Sequence, residues 1–333
     1  MKIPRPLMLS SMLILLIGSM ILSILFGASS IDIFGILSGT SHDAADKAIL
    51  LRERLPRTIL GASVGASLAA AGLAFQAILK NPLADPYVIG VAGGSAIGGT
   101  LAMILPVAAV AGQAGVSILA FVFGLLAIAG TWWLSRDSRG RVNVWEVLLV
   151  GVIFNTFASA VIMFMKSVVR AQKAQEMLMW LMGTLSSDVR GPVAVSMSVG
   201  MTIVGSIILF RQAPALNALS VGEEDAASVG VDTASTTRIV LVAGSLLVAS
   251  AVSVAGMIGF VGLIVPHGVR VLVGSDHRFA IPASILTGAS FLVLADVATR
   301  MLFPVFETEA PVGVMTAIIG GPVFVWLLRR GAR

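Results

Sequence analysis

Long stretches of this chain carry no charge at all. Residues 6–31 run for 26 positions without one, residues 58–79 for 22, and residues 86–135 for 50. Further runs follow at 147–165, 191–210, 239–269, 279–295 and 310–328. About 20 predominantly apolar residues are enough for a helix to cross a hydrocarbon core, and in lipid the backbone must satisfy its own hydrogen bonds. The pattern therefore predicts an all-α polytopic membrane protein. Composition agrees, since only 12% of residues are charged against about 25% in soluble domains. The net charge of +5, from 22 basic and 17 acidic residues, does not indicate nucleic-acid binding. Basic residues flank membrane spans for topological reasons, and no basic block is interleaved with aromatics. The chain has no cysteine, which excludes disulfides, thiolate metal sites and cysteine nucleophiles.

Lys2 and Arg5 precede the first run, and the small residues Gly27-Ala28-Ser29 end it. Its 26 residues exceed the roughly 7–15 of a signal-peptide core, so it is expected to stay as a first transmembrane helix. Residues 86–135 hold two spans hinged around residues 106–115. The run 239–269 is too long for one untilted helix and short for two. Lys2 and Arg5 at one terminus and Arg329, Arg330 and Arg333 at the other place both ends in the cytoplasm by the positive-inside tendency, so the number of spans is even. Splitting the run near residues 256–259 gives ten. With ten spans, 13 basic residues fall inside and nine outside. Among the outer ones, Arg54 and Arg57 begin the second span and Arg300 ends the ninth. Guanidinium forks suit the carboxylates of an acidic partner, and interfacial snorkelling is the plainer alternative.

Between the second and third spans lies QAILKNPLADPYVIGVAGG, residues 76–94. Two prolines stop a helix from continuing through. Such a turn is either a membrane-surface loop or irregular backbone lining a protein cavity.

Catalytic patterns are few. No GxxxxGK[ST] or HExxH occurs, and the histidines stand apart at 42, 267 and 277. Gly61-Ala62-Ser63-Val64-Gly65 matches GxSxG. It lies within an apolar helix, where small residues serve close packing rather than a nucleophile elbow. Carboxylates are nearly absent from the spans. Asp296 is the main one, four residues before Arg300, a spacing that suits an ion pair on one helix face. This scarcity disfavours proton coupling, so uphill transport would draw on another chain. Residues 216–231 predict one short helix with Glu223, Glu224 and Asp225 in its first turn and Gly230 as its stop. Its small apolar surface at Ala226, Ala227 and Val229 fits a groove on a cytoplasmic partner, with a membrane-surface helix as the alternative. Met163, Met165, Met177, Met179 and Met182 cluster around the end of the fifth span, as core filling or as the lining of a pathway for a bulky ligand.

Taken in order, several segments resemble the permease subunit of binding-protein-dependent ABC importers of the vitamin B12, iron-siderophore and haem type. They are Arg54-Leu55-Pro56-Arg57, residues 72–94 with Asn81-Pro82-Leu83-Ala84, Trp180-Leu181-Met182-Gly183 and residues 216–230. Gly259-Phe260-Val261-Gly262-Leu263-Ile264-Val265-Pro266-His267, Arg270, Asp296, Arg300, Glu309-Ala310-Pro311-Val312-Gly313 and Gly320-Gly321-Pro322-Val323-Phe324 complete the set.

The resemblance implies one permease domain over residues 1–333 with about ten helices, working as a homodimer in the bacterial inner membrane. It implies two cytoplasmic ATPase subunits, which hold the ATP and magnesium, a periplasmic binding protein, and a metal chelate as cargo. Iron-siderophore comes first among such cargoes, then cobalamin or haem. No cofactor or metal is expected in this chain, and the permease is not itself an enzyme. By the same resemblance, Arg54, Arg57 and Arg300 receive carboxylates of the binding protein. Asn81, Leu83, Val144 and Trp145 form a cytoplasmic gate, although Val144 and Trp145 replace the small hydroxyl residues of the B12 permease. Leu219, Gly222, Glu223, Glu224, Ala226, Ala227, Val229 and Gly230 couple to the ATPase, and Met163, Met165 and Met182 are candidates for the pathway lining. The rival readings are an ion-gradient-driven secondary transporter and, more distantly, an intramembrane hydrolase using Ser63.

Overall fold

The computed structural model describes residues 4–27, 29, 31–38, 44–105, 107–136, 143–185, 192–303 and 309–331. His42, Pro106 and the basic residues Lys2, Arg139, Arg141, Arg190 and Arg333, used in the sequence reading, lie outside them. Among the described residues the regular structure is helical throughout. Ten apolar helices follow in chain order. They are α1 (Arg5–Leu25), α2 (Leu55–Ile78), α3 (Val91–Ile104), α4 (Val107–Leu134), α5 (Val144–Val168), α6 (Pro192–Arg211), α7 (Thr233–Ala255), α8 (Val261–Val273), α9 (His277–Met301) and α10 (Val312–Gly331).

Seven of these, α1, α2, α4, α5, α6, α7 and α9, are long and apolar enough to cross a membrane, and the apolar parts of α3, α8 and α10 are shorter. The two kinds together match the ten expected spans. α8, with 13 residues, rises only about 20 Å, less than the roughly 30 Å hydrocarbon core. The expected break in 239–269 falls at residues 256–260. Gly256 (φ 70°) closes α7, and Phe260 (φ 69°) opens α8 in the left-handed region, a conformation costly for an aromatic residue. The hinge expected within residues 106–115 appears at Gly112 (φ 57°, ψ −151°).

α2 is the axis of the fold. Nearly all its residues are buried, and it packs against α6, α7, α8 and α9. The reason is side-chain size. A Cβ at Gly65 would sit 2.2 Å from the Gly288 carbonyl oxygen of α9, and one at Gly72 would sit 1.9 Å from the Gly262 oxygen of α8. Both crossings bring backbones into contact, as small residues allow in membrane helices. Ser63 shares a 2.7 Å hydrogen bond with Ser198 of α6, and Ser67 one with Thr202. Its GxSxG context is thus a helix seam. α3 and α4 pack as a hairpin, with α5 against α3. A smaller core joins Ala102, Met103, Val116, Ala120, Met177 and Trp180. α1 lies against α9 with most of its surface outward, and α5 is similarly exposed.

Candidate functional site

One end of the bundle is built from ionised side chains. Arg54 ends a wide-turn helix, Ile49–Arg54, that leads into α2. Its Nη1 donates to the carbonyls of Ile24 (2.7 Å) and Leu25 (2.9 Å), and its Nη2 to that of Ser29. Arg57 is 4% exposed and grips Asp296 of α9 through Nε (3.0 Å) and Nη2 (2.9 Å). Its Nη1 donates to Glu309 at 2.8 Å. Arg300 lies one turn beyond Asp296, its Nε 3.1 Å from Oδ2. Its Nη1 donates to the Ser23 and Phe26 carbonyls, and its Nη2 to the Ser23 hydroxyl at 2.7 Å. Three cations and two carboxylates thus tie the end of α1, the starts of α2 and α10 and the end of α9 into one network. The Asp296–Arg300 pair stands as its spacing predicted, and Arg57 and Glu309 complete it.

These three arginines, expected to receive carboxylates of a binding protein, already hold partners within this chain. Arg54, Arg57 and Arg300 are 3%, 4% and 2% exposed, and their donors point at this chain's own carbonyls and carboxylates. An unpaired guanidinium at such depth would be strongly unfavourable, so the fold supplies internal acceptors. Beside this end, a cavity of ≈ 500 Å³ opens between the start of α4 and the helix Ala171–Leu181, with Gln113, Gln172, Lys173, Glu176, Met179 and Trp180 on its walls.

The opposite end uses amides. Gln76, 3% exposed on α2, donates to the carbonyls of Ala84, Gly262 and Leu263, each at 3.3 Å, and accepts from Arg270 of α8. It fastens the turn after α2 to α8. Within the turn, Asn81 Oδ1 accepts from the Leu83 amide (2.9 Å), and Asp85 caps the single turn Pro86–Ile89. The Tyr87 hydroxyl donates to the Ile258 carbonyl and accepts from its amide, both at 2.9 Å. Asn155 of α5 donates to the Tyr87 carbonyl at 2.9 Å. Burial pushes the Asp85 carboxyl above its ordinary value against the Tyr87 amide, and burial likewise raises Tyr87.

Asn81 and Leu83 are exposed, Leu83 at 46%. Trp145 is 69% exposed, whereas Val144 packs half-buried on the main core. The turn meets α5 at Gly151 and Asn155. These lie at least seven residues, about 10 Å of helix, beyond Val144.

Residues 216–231 form two helices rather than the one expected. Ala213–Val221 ends and Glu223–Ser228 begins at Gly222, whose extended backbone (φ 175°, ψ 156°) breaks the run. The three acids do occupy the first turn of the second helix, and Gly230 (φ 87°) stops it. Leu219 and Ala226 are buried, while Glu223, Glu224, Ala227 and Val229 are exposed. Ala226, read from the sequence as partner-facing, packs into its own chain. Asn217 joins these helices to α9. It donates to Asp276 (2.7 Å), accepts from the His277 amide (2.8 Å) and lies 2.7 Å from His277 Nδ1. Lys80 of the turn approaches Glu223 at 3.8 Å, so the turn and the acidic helix share this end.

The methionines divide. Met165 meets Thr100 and packs with Met177 in the smaller core, Met163 is 74% exposed on α5, and Met182 is half-buried beneath Gly313. No three His, Asp or Glu side chains converge to hold a metal ion among the described residues. Gln76, Asn217 and Glu309 lie in segments singled out from the sequence, but their hydrogen-bonding roles were not legible there, because a single polar residue at a helix end carries no periodic signal.

A ten-helix bundle with one ion-paired end and one amide-fastened end can be set beside known proteins. The family model of the FecCD transport family matches residues 14–330. The cobalamin import system permease protein of Halobacterium salinarum is 44% identical over 83% of this chain and 72% of its own length. The hemin transport system permease protein of Yersinia pestis is 36% identical over 98% and 96%. A solved inward-facing ABC transporter of metal-chelate type superposes with a TM-score of 0.84 at 30% identity, over 98% of this chain and 99% of that one. The chain therefore belongs to the FecCD transport family, whose members are membrane permease subunits of ABC transporters and not themselves enzymes.

Proposed function

We propose that this chain is the permease of a binding-protein-dependent importer that carries a metal chelate into the cytoplasm. Two copies enclose one pathway, two ATPase subunits supply the energy, and a periplasmic protein delivers the cargo. The observation that carries this reading is the distribution of charge. Among the described residues, the carboxylates of the long helices sit near their ends, Glu146 on α5 and Asp296 on α9, and Asp296 is held by two arginines. An ion-coupled carrier needs ionisable groups deep in its pathway, so the driving energy enters from another chain.

The exposed acidic helix Glu223–Ser228, beside the turn that carries Asn81 and Leu83, is the contact for the ATPase. Its Glu223, Glu224, Ala227 and Val229 face outward, with Gly222 and Gly230 setting its ends and Leu219 and Ala226 anchoring it. Both termini and this helix lie in the cytoplasm, and the membrane is the bacterial inner one. Motion of the helix passes to the gate turn as a rigid-body switch. The binding protein docks on the opposite end, whose shape the Arg54, Arg57 and Arg300 network maintains.

For the cargo, iron-siderophore and cobalamin stand level. The relative at 44% identity is named for cobalamin, whereas relatives at 36% are named for hemin and iron chelatin. Reconstitution with the ATPase and binding protein tests the whole reading. ATP-dependent uptake of one of these chelates is expected. Uptake under a proton gradient without ATP would replace it with a secondary transporter.

A further inference from the structure

At the end that carries the acidic helix, Trp132, near the end of α4, holds two cations over its ring. The Arg136 guanidinium carbon stands 4.6 Å from its ring centroid, and that of Arg238, from α7, stands 5.7 Å from it. Neither arginine pairs with a carboxylate among the described residues. Trp132 also forms one wall of an apolar cleft of ≈ 210 Å³ between α4, α5 and α7, with Ile128, Val147, Leu241 and Val242 around it and Arg238 at its rim. Trp133, 70% exposed, stands at the same helix end. Exposed indoles mark the membrane–water interface, which sets the arginine pair at headgroup depth.

We propose that this is a binding site for an anionic phospholipid, with its phosphate between Arg136 and Arg238 and one acyl chain in the cleft. Stacking on Trp132 holds both guanidinium groups in place while leaving their N–H groups free to donate. Basic pockets between helices at this depth suit anionic headgroups. A zwitterionic lipid would bring its own cation against two others, and a free phosphate would leave the apolar cleft unused. The site lies apart from both networks described above and does not depend on the identity of the cargo.

The test uses the purified full-length chain, by native mass spectrometry with dioleoyl-phosphatidylglycerol and dioleoyl-phosphatidylcholine offered in equal amounts. Retention of phosphatidylglycerol is expected to exceed that of phosphatidylcholine on the order of ten-fold. In the Arg136→Gln/Arg238→Gln variant the preference falls to near unity. Both substitutions are at exposed positions, so folding is preserved. Val242→Trp, on the outward wall of the cleft, lowers retention of both lipids with the arginines intact. Equal retention by the unsubstituted protein overturns the proposal, as does a preference unchanged in the double variant. Displacement of the lipid by millimolar glycerol phosphate identifies a free-phosphate site instead. Loss of ATPase assembly in the double variant, with lipid preference intact, identifies a protein contact instead.

Discussion

At one end of the bundle, buried guanidinium groups and carboxylates lock α1, α2, α9 and Glu309 together. At the other, neutral amides hold the loops, and the ion pairs that meet there are partly or fully exposed. Asp296 is 2% exposed and gripped by two arginines. Lys80 and Glu223 are 49% and 67% exposed and 3.8 Å apart. The contrast separates two tasks. A buried ion network tolerates no partial disruption, because each lost partner strands a charge. Amide hydrogen bonds and exposed pairs are each worth little, so they can be exchanged as an element moves. A rigid end and a yielding end suit a protein that docks something on one side and is switched from the other.

The contrast breaks most sharply at Asp296. Asp296→Ala leaves Arg57 and Arg300 buried with their shared partner gone, and should cost about 3–5 kcal/mol. Thermal unfolding in detergent measures this, and a loss below about 1 kcal/mol would mean that this end is not sealed.

Next is Gln76→Leu, which removes the acceptor of Arg270 and the donor to three carbonyls. The expected cost is about 1–3 kcal/mol. Amide hydrogen exchange should quicken across residues 80–85 while the α2 interior stays protected. Uniform quickening would show instead that Gln76 supports the whole core.

A smaller effect, about 1 kcal/mol, is expected for Asn217→Ala. Its hydrogen bond is the main reason that the Asp276 carboxyl lies below the ordinary carboxylate value, and the Arg278 amide and the charges of Arg278 and Arg5 add to it. A carboxyl depressed in the folded state stabilises fully above the unfolded value. That contribution is lost as pH falls through the folded one. Stability of the unsubstituted protein should therefore decline in the acid range below about pH 4, and Asn217→Ala should show a smaller decline that levels off at higher pH. Coincident pH profiles of the two proteins would remove Asn217 from this role.

The smallest effect is expected at Lys80. Lys80→Gln should change stability by less than about 0.5 kcal/mol, because both partners are solvated. A larger loss on thermal unfolding would make the yielding end more rigid than its contacts imply.

Much of the architecture was legible in the residues. Charge-free length predicted the ten helices, and the break at residues 256–260 followed from a run too long for one span and too short for two. The small residues from Gly61 to Gly65 identified α2 as a packing helix, and the spacing of Asp296 and Arg300 identified their pair. Other features were hidden. The break at Gly222 takes an extended conformation that any residue can adopt, so nothing local announces it. Ala226 and Ala227 are chemically identical, and only the seating of the short helix turns one inward and the other out. Arg54 and Arg57 carry the same sequence signal whether they face water or Asp296, which lies 239 residues from Arg57.

The sequence by itself determined that the chain is a membrane bundle, how many long apolar helices it has and that the run 239–269 breaks near its middle. Those properties follow from local hydrophobicity and backbone chemistry, which every short segment expresses alone. Tertiary structure decided which polar groups are free and which are already paired. Arg57, Glu309 and Asp296 meet only after α2, α9 and the start of α10 have packed. The same holds for Gln76 with Arg270 and for Asn217 with His277. Partnership across such separations is set by which helix faces come together, and no local pattern encodes it.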